Sequence, residues 1–348
     1  MSQFPINCPV SNLVDDVVTL AHGEGGRWTR RLIRQRILTR LGNIHLEELS
    51  DAATLPKMNG APVMTTDSYV VSPLFFPGGD IGTLAVYGTV NDLVVSGALP
   101  KWIALSMIIE EGFPLLSLDR VLTSIAAAAR IAQVQIVTGD TKVVPRGATD
   151  GIYLTTTGVG ELIEPAPSGP RTLEEGDVIL VTGPIGQHGI SILAARENLG
   201  FDPMPQSDCG SLWNAAEALR NAGCEVRSMR DATRGGISAV LHEWADSSNT
   251  TIAIDEHAVP VSSEVRGACE LLGLDPLHLA NEGTMVVAVP GKIARCALPA
   301  LQEGGRCPMA AIIGEVTARR LAPVVVRRGQ FAEIPLEEPQ GAPFPRIC

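Results

Sequence analysis

Aromatic residues are scarce in this sequence, at 4% of the chain, whereas glycine is frequent, with 35 residues. That balance disfavours an all-β sandwich and suits an α/β or α+β protein with tight turns. Positive charge is also in deficit. The formal net charge of −11 argues against nucleic acid or an anionic membrane as the main partner. It leaves open a polyanion held through metal ions. No apolar run approaches the ~20 residues that would span a bilayer. The start lacks the basic, apolar and small-residue series of a signal peptide, so the expected compartment is the cytoplasm. Phosphate-binding loops are missing as well. There is no G-x-x-x-x-G-K-[ST] and no G-x-G-x-x-G after a strand, and GKI at Gly291 lacks both the hydroxyl residue and the leading loop. Cysteines number seven, an odd count, with no C-x-x-C, which disfavours a zinc site or a disulfide framework. Most read as small buried apolar residues. Cys348 is the exception, because the last residue of a chain is hard to bury.

What is present points to two domains, as 348 residues favour. Strand and helix patterns alternate. Strands are expected from Val63, Lys101, Gln135 and Gly151, and helices from Asp80 and from a capping Ser117. The stretch EPAPSGPRTLEEGD then places a boundary near Pro165 to Arg171. It separates an N-terminal domain, 1–165, from a C-terminal domain, 171–333. The second half alternates too, with helices near Ile190, Gly236, Val265 and Ile293. Its strands lie near Val226 and Thr251, in TMVVAV and AAIIGEV, and before Arg328. The closing segment PLEEPQGAPFPRIC carries four prolines in fourteen residues. It reads as an extended tail over 334–348, semi-stiff and unable to form a helix or a paired strand. Its reach is on the order of 40 Å.

Acids stand at what read as element ends, beside small or hydroxyl residues: Asp67 in TTDSY, Asp92 in TVNDL, Asp140 in TGDTK and Asp231 in MRDATRGG. Carboxylates that converge repel one another unless a divalent cation sits between them. Mg²⁺ favours a few carboxylates together with phosphate oxygens and water. Lys142, Thr233 and Arg234 lie close by in sequence, the two cations suited to meeting phosphates. Taken singly, each Asp is equally a helix cap or turn residue. Gly23, Gly25 and Gly26 precede an Arg-rich amphipathic helix and read as an anion-binding lead-in or as a plain flexible one. Glu282, in NEGTMVVAV, is a candidate general base or a surface turn residue. His188 in GQHG is a helix-start residue or lines the site.

In their order, AHGEGGR, TTDSYVVSPLFFPGGDIGTLAVYGTVNDLVVSGA, VTGDTKVV, SMRDATRGG, LDPLHLANEGTM and terminal PRIC make the chain resemble the HypE family of hydrogenase maturation factors. The wider group is that of aminoimidazole ribonucleotide synthetase, selenophosphate synthetase and thiamine-monophosphate kinase. The resemblance implies an α/β N-terminal domain whose strands pair across a homodimer, an α+β C-terminal domain, and ATP in the groove between them. It implies a HypF-type carbamoyltransferase that loads Cys348, ATP-dependent dehydration of the thiocarboxamide to a thiocyanate, and delivery of cyanide to iron on a HypC–HypD complex. Carried over by position, Asp67, Asp92 and Asp231 would hold Mg²⁺. Asp140 would stand near the γ-phosphate, on metal or positioning. Lys142 would meet the phosphoryl or carbamoyl group, Glu282 would be the base, and Gly23 to Gly26 would close over the phosphates. Gly341 would hinge the arm before the stiff Pro343–Phe344–Pro345 step. Phe344, Arg346 and Ile347 would dock its tip. Two other readings share these residues. One is a kinase or synthetase of the same fold acting on a free substrate. The other is a non-catalytic dimeric carrier that presents a cysteine arm.

Overall fold

The computed structural model describes residues 16–329 and 332–339. Two helical pieces, α1 (Arg27–Leu32) and α2 (Leu38–Leu41), are joined by a π-helical turn at Ile33–Ile37. There follow β1 (Pro62–Tyr69), a small hairpin of β2 (Phe75–Phe76) and β3 (Gly79–Asp80), and helix α3 (Ile81–Val95). Then come β4 (Ala98–Glu110), α4 (Leu115–Ile131), β5 (Gln135–Val144) and β6 (Ile152–Leu162). The four long strands form one sheet in the order β1-β6-β4-β5. Only β4 and β5 are parallel neighbours within it.

One face of this sheet is covered and the other is not. Ile103, Leu105, Met107 and Ile109 of β4 and Ile152 and Leu154 of β6 are buried in the core that α3 and α4 complete. On α4, Leu118, Val121, Leu122 and Ile125 repeat at helical spacing and are fully buried, each contributing roughly 1.5–3 kcal/mol. The alternate residues, such as Met64, Thr66 and Ser68 on β1 and Ile108 on β4, are exposed. Helix α3 is apolar on all sides and buried along nearly its whole length. Asp80 caps it, its Oδ1 accepting from the N–H groups of Gly82 (2.7 Å) and Thr83 (3.0 Å). Gly88 lets β1 approach, since a Cβ there would lie 2.4 Å from the Tyr69 hydroxyl.

The second half contains β7 (Asp177–Val181), α5 (Gln187–Glu197), α6 (Trp213–Asn221), β8 (Ser228–Asp231), α7 (Gly236–Ser248) and β9 (Thr251–Asp255). It continues with α8 (Ser263–Leu272), β10 (Met285–Pro290), α9 (Ala294–Pro299), β11 (Ala311–Thr317), β12 (Val324–Arg328) and β13 (Ala332–Pro335). Its strands form one sheet in the order β13-β12-β9-β11-β7-β10-β8. One side carries α7, with Ile237, Leu241 and Trp244 buried. From the other side, Leu180, Met285 and Val287 join the same core cluster as the first sheet, so apolar packing runs continuously from one half to the other.

Several readings of the sequence need correction. Helix α4 begins at Leu115 behind Pro114, so Ser117 lies inside the first turn and caps nothing. Both Leu115 and Leu118 reach the core, which draws the helix back a turn. Helix α6 is additional to the elements expected from the sequence, although Leu212, Ala215, Ala216 and Leu219 carry the helical spacing and are buried. Of the five described cysteines only Cys224 and Cys269 are buried, while Cys209 and Cys307 are half-buried and Cys296 is exposed. The chain also stays in the sheet beyond residue 334: Ile334 lies opposite Val326 and Pro335 opposite Val325. A proline is tolerated there because β13 is the edge strand. Residues 340–348, with Gly341, Phe344, Arg346, Ile347 and Cys348, lie outside the described residues, as does Cys8.

Candidate active site

Four acids from four elements line one cavity of about 620 Å³. Asp67 comes from the covered face of β1, Asp92 from α3, Asp231 from the last position of β8, and Glu282 from the turn before β10. Thr233 and Arg234 line the same space, just ahead of α7. Of the four aspartates read as sitting at element ends, only Asp231 does so. Asp67 stands within a strand and Asp92 within a helix, and they meet because α3 packs beneath β1.

The acids of the cavity outnumber its cations, four to two. The Asp92 carboxyl is pushed up to about 7, first by burial, then by Asp231 and by Asp67. The Thr65 hydroxyl, donating to Asp92 Oδ2 at 2.6 Å, opposes that rise. Burial raises Asp231 as well. Glu282 is 4% exposed, and its carboxyl is raised well above the usual range by burial and by Asp231, Asp208, Asp67 and Asp92. The Tyr69 hydroxyl, 3.3 Å from Asp67 Oδ2, is raised by burial and by that carboxylate. Its two cations are Arg230, which also pairs with Glu243, and the exposed Arg234, and both partly offset the rise at Asp231. Such a set of oxygens fits a hard divalent cation. Among the described residues, no three His, Cys, Asp or Glu side chains are grouped so as to hold a metal ion. A cation would therefore take one or two of these carboxylates and complete its shell from phosphate and water, as Mg²⁺ does.

Glu282 is held by residues that the sequence reading passed over. Asp208 accepts from the backbone N–H groups of Glu282 and Gly283, both at 3.0 Å. Asn281 accepts from the Gly186 N–H at 2.7 Å and donates to the Ala232 carbonyl at 2.9 Å. Asn91, one residue before Asp92, is fully buried. It donates to the carbonyls of Gly210 (2.9 Å) and Glu282 (3.3 Å) and accepts from the Leu212 N–H (2.9 Å). One turn of α3 thus fixes both sides of the cavity. His188 does not line it. It is buried, its Nδ1 lies 2.9 Å from the Ser207 hydroxyl, and it meets Phe76 edge to face.

The remaining candidates lie elsewhere. Asp140 and Lys142 are exposed on edge strand β5. Asp140 lies opposite Ser106, which lies opposite Thr155, itself opposite Ser68, so the four share one row across the sheet. It therefore projects on the face of the sheet opposite Asp67. Asp140 also borders a second cavity, of about 210 Å³, between β5 and the Ile33–Ile37 turn, with apolar walls from Ile33, Ile37, Leu105 and Met107. Gly23 abuts this strand, since a Cβ there would lie 2.7 Å from the Val143 nitrogen. Gly25, at φ +80°, and Gly26 have open space around them. The four acids thus share one cavity, whereas Asp140 and Lys142 stand on the open face of the sheet and Gly23 packs against Val143, a buried residue that alternates with them along β5.

Comparison with known proteins supplies the context. Residues 49–162 match the N-terminal domain, and residues 174–326 the C-terminal domain, of AIR synthase related proteins. The carbamoyl dehydratase HypE of Escherichia coli is 44% identical over 336 residues, covering 95% of this chain and 99% of that protein. A crystal structure of the hydrogenase maturation protein HypE in complex with ATP superposes with a TM-score of 0.89 at 43% identity, over 95% of this chain and 99% of the other. In a crystal structure of a HypE–HypF complex, a chain 42% identical superposes with a TM-score of 0.78, over 88% and 99% of the two chains.

Proposed function

We propose, since this chain belongs to the AIR synthase related family and within it to the HypE carbamoyl dehydratases, that it dehydrates a carbamoyl group carried on the Cys348 thiol, using ATP. The observation that carries the reading is the convergence of Asp67, Asp92, Asp231 and Glu282 on one cavity whose lining supplies only Arg230 and Arg234 against their charge. A protein tolerates such a cluster where a cation and a polyphosphate supply the missing charge.

The reaction is R–S–CO–NH₂ + ATP → R–S–CN + ADP + phosphate. The amide oxygen attacks the γ-phosphorus and the bond to the β,γ-bridging oxygen breaks. One N–H proton is lost, leaving an imidate phosphate. Loss of the second N–H proton then forms C≡N as the C–O bond breaks and phosphate departs. One or two of Asp67, Asp92 and Asp231 would hold Mg²⁺, whose chemistry is to offset charge on the phosphate oxygens. Glu282 is the base. Its carboxyl lines the same cavity as the three aspartates, where a proton acceptor is required. Its burial keeps water from competing for the phosphoryl group.

The half-site bearing Gly23, Gly25, Gly26, Asp140 and Lys142 acts on the same nucleotide, supplied by the second protomer of a homodimer. The uncovered sheet face, with Met64 at 73% and Ile108 at 38% exposure, is the surface two copies would share. The apolar cavity beside Asp140 suits the base, the open glycines suit the phosphates, and Lys142 the transferred group. A HypF-type carbamoyltransferase loads the thiol, and a HypC–HypD complex takes the cyanide for its iron. The assignment to the cytoplasm rests on the sequence. Among the described residues, no helix is long and apolar enough to cross a membrane.

Intact mass of carbamoyl-loaded protein before and after Mg–ATP tests this reading. A loss of ~18 Da confined to the C-terminal peptide supports dehydration. Turnover of ATP without that loss overturns it.

A further inference from the structure

The segment that leads out of the second sheet is gripped before it leaves the described residues. Leu336 is buried, and its N–H donates to the Val324 carbonyl at 3.0 Å. His242, 3% exposed on α7, places Nε2 at 3.1 Å from the Leu336 carbonyl and Nδ1 at 2.8 Å from its own helix's Ser238 carbonyl. The next carbonyl, of Glu337, accepts twice: from the Ser238 hydroxyl at 3.2 Å and from His278 Nε2 at 3.0 Å. Ser238 is fully buried, and His278 closes the turn that packs on α7. Two residues on, Pro339 lies against Gly235, where a Cβ would come within 3.3 Å of the proline ring. Gly235 has a φ of +75° and follows Thr233 and Arg234 at the edge of the acidic cavity.

We propose that Ser238, His242 and His278 form a clamp that roots the C-terminal arm at the lip of the acidic cavity, and that they are positioning residues for dehydration of the cargo on Cys348. The inference rests on the function assigned above. From Pro339 the nine residues to Cys348 span about 30 Å at full extension, enough to cross the cavity. A thiol tethered at the lip meets the site at high effective concentration and from one direction. Moving the root back to the strand end lengthens the tether and loses that direction. A backbone carbonyl that accepts two side-chain donors is a fixed point. Glu337 thus serves through its main chain, and its own side chain is exposed.

The test separates cis from trans. Wild-type and a Ser238→Ala/His278→Ala variant, each carbamoyl-loaded on Cys348, are given Mg–ATP, and the single-turnover loss of water is followed by mass. In parallel, each in a Cys348→Ser background acts on an S-carbamoylated peptide of residues 340–348 supplied in solution. The clamp requires the cis rate to fall about three- to tenfold while the trans rate and ATP affinity hold, with partial recovery in Ser238→Ala/His278→Gln, which restores a donor. Hydrogen exchange of the Leu336, Glu337 and Glu338 amides should accelerate in the variant while β10 stays protected. An unchanged cis rate, or cis and trans rates that fall together, overturns the clamp alone. Wild-type protein that loses no water at all overturns the function assigned above, and the clamp with it.

Discussion

The acidic cavity makes a prediction about stability that is separate from turnover. Raising the Asp92 carboxyl from the ordinary 3.8 to about 7 means that the folded protein keeps a proton the unfolded chain has released. Stability must therefore fall as pH rises from about 4 to about 7. At 1.36 kcal/mol per tenfold, the full penalty on the ionised form is roughly 4 kcal/mol. Because Asp92 retains some contact with solvent, screening reduces this to roughly 1–2 kcal/mol. Asp92→Asn removes the charge and keeps an acceptor for the Thr65 hydroxyl. The variant should melt about 2–5 °C above wild type at pH 8, with the gain shrinking below pH 7 and vanishing near pH 4. Mg–ATP should raise the wild-type melting temperature at pH 8 but not that of the variant, and dehydration should be lost. Thermal melts followed by circular dichroism at pH 4, 6 and 8 decide the matter. A variant no more stable than wild type at pH 8, or one with the same gain at pH 4, refutes the reasoning that excess negative charge is stored here.

Other expectations are direct. Cys348→Ser should bind ATP as wild type does yet show no 18-Da loss on its C-terminal peptide, and a free-substrate kinase would be untouched by that change. Lys142→Ala and Asp231→Asn chains, each inactive alone, should on mixing regain about a quarter of wild-type activity. Random pairing makes half the dimers mixed, with one intact composite site in each. No recovery would place both residues in one protomer's site. Asn91→Ala strands the Gly210 and Glu282 carbonyls and the Leu212 N–H in a buried setting. It should cost roughly 2–3 kcal/mol in urea unfolding and lower the dehydration rate.

Much of the molecule was legible in the sequence, for physical reasons that can be named. The helix from Asp80 and the strands from Val63, Lys101, Gln135 and Gly151 announce themselves through caps and apolar runs, which are local signals. Asp67, Asp92, Asp231 and Glu282 could be singled out by type and neighbours, but their meeting depends on α3 threading between two sheets. No spacing in the chain records that. Nor does it show that Asp140 and Asp67 project from opposite faces of one sheet, because the β5 to β4 to β6 to β1 register that decides it is long-range. Asp208 and Asn281 act through backbone groups distant in sequence and give only the composition of an ordinary turn. The strand ending at Pro335 was hidden by its proline, which argues against pairing everywhere except at a sheet edge.

A sheet whose two faces serve two different spaces restricts how its strands can change length. Deleting a single residue from the middle of β5 would turn Asp140 and Lys142 inward against the helices and expose Val143, whereas a change of two would keep every side chain on its own side. Insertions and deletions in this family should therefore gather in the 145–151 connection after β5 and stay out of the strand. A variant library scored for folding in cells would reveal that even–odd rhythm.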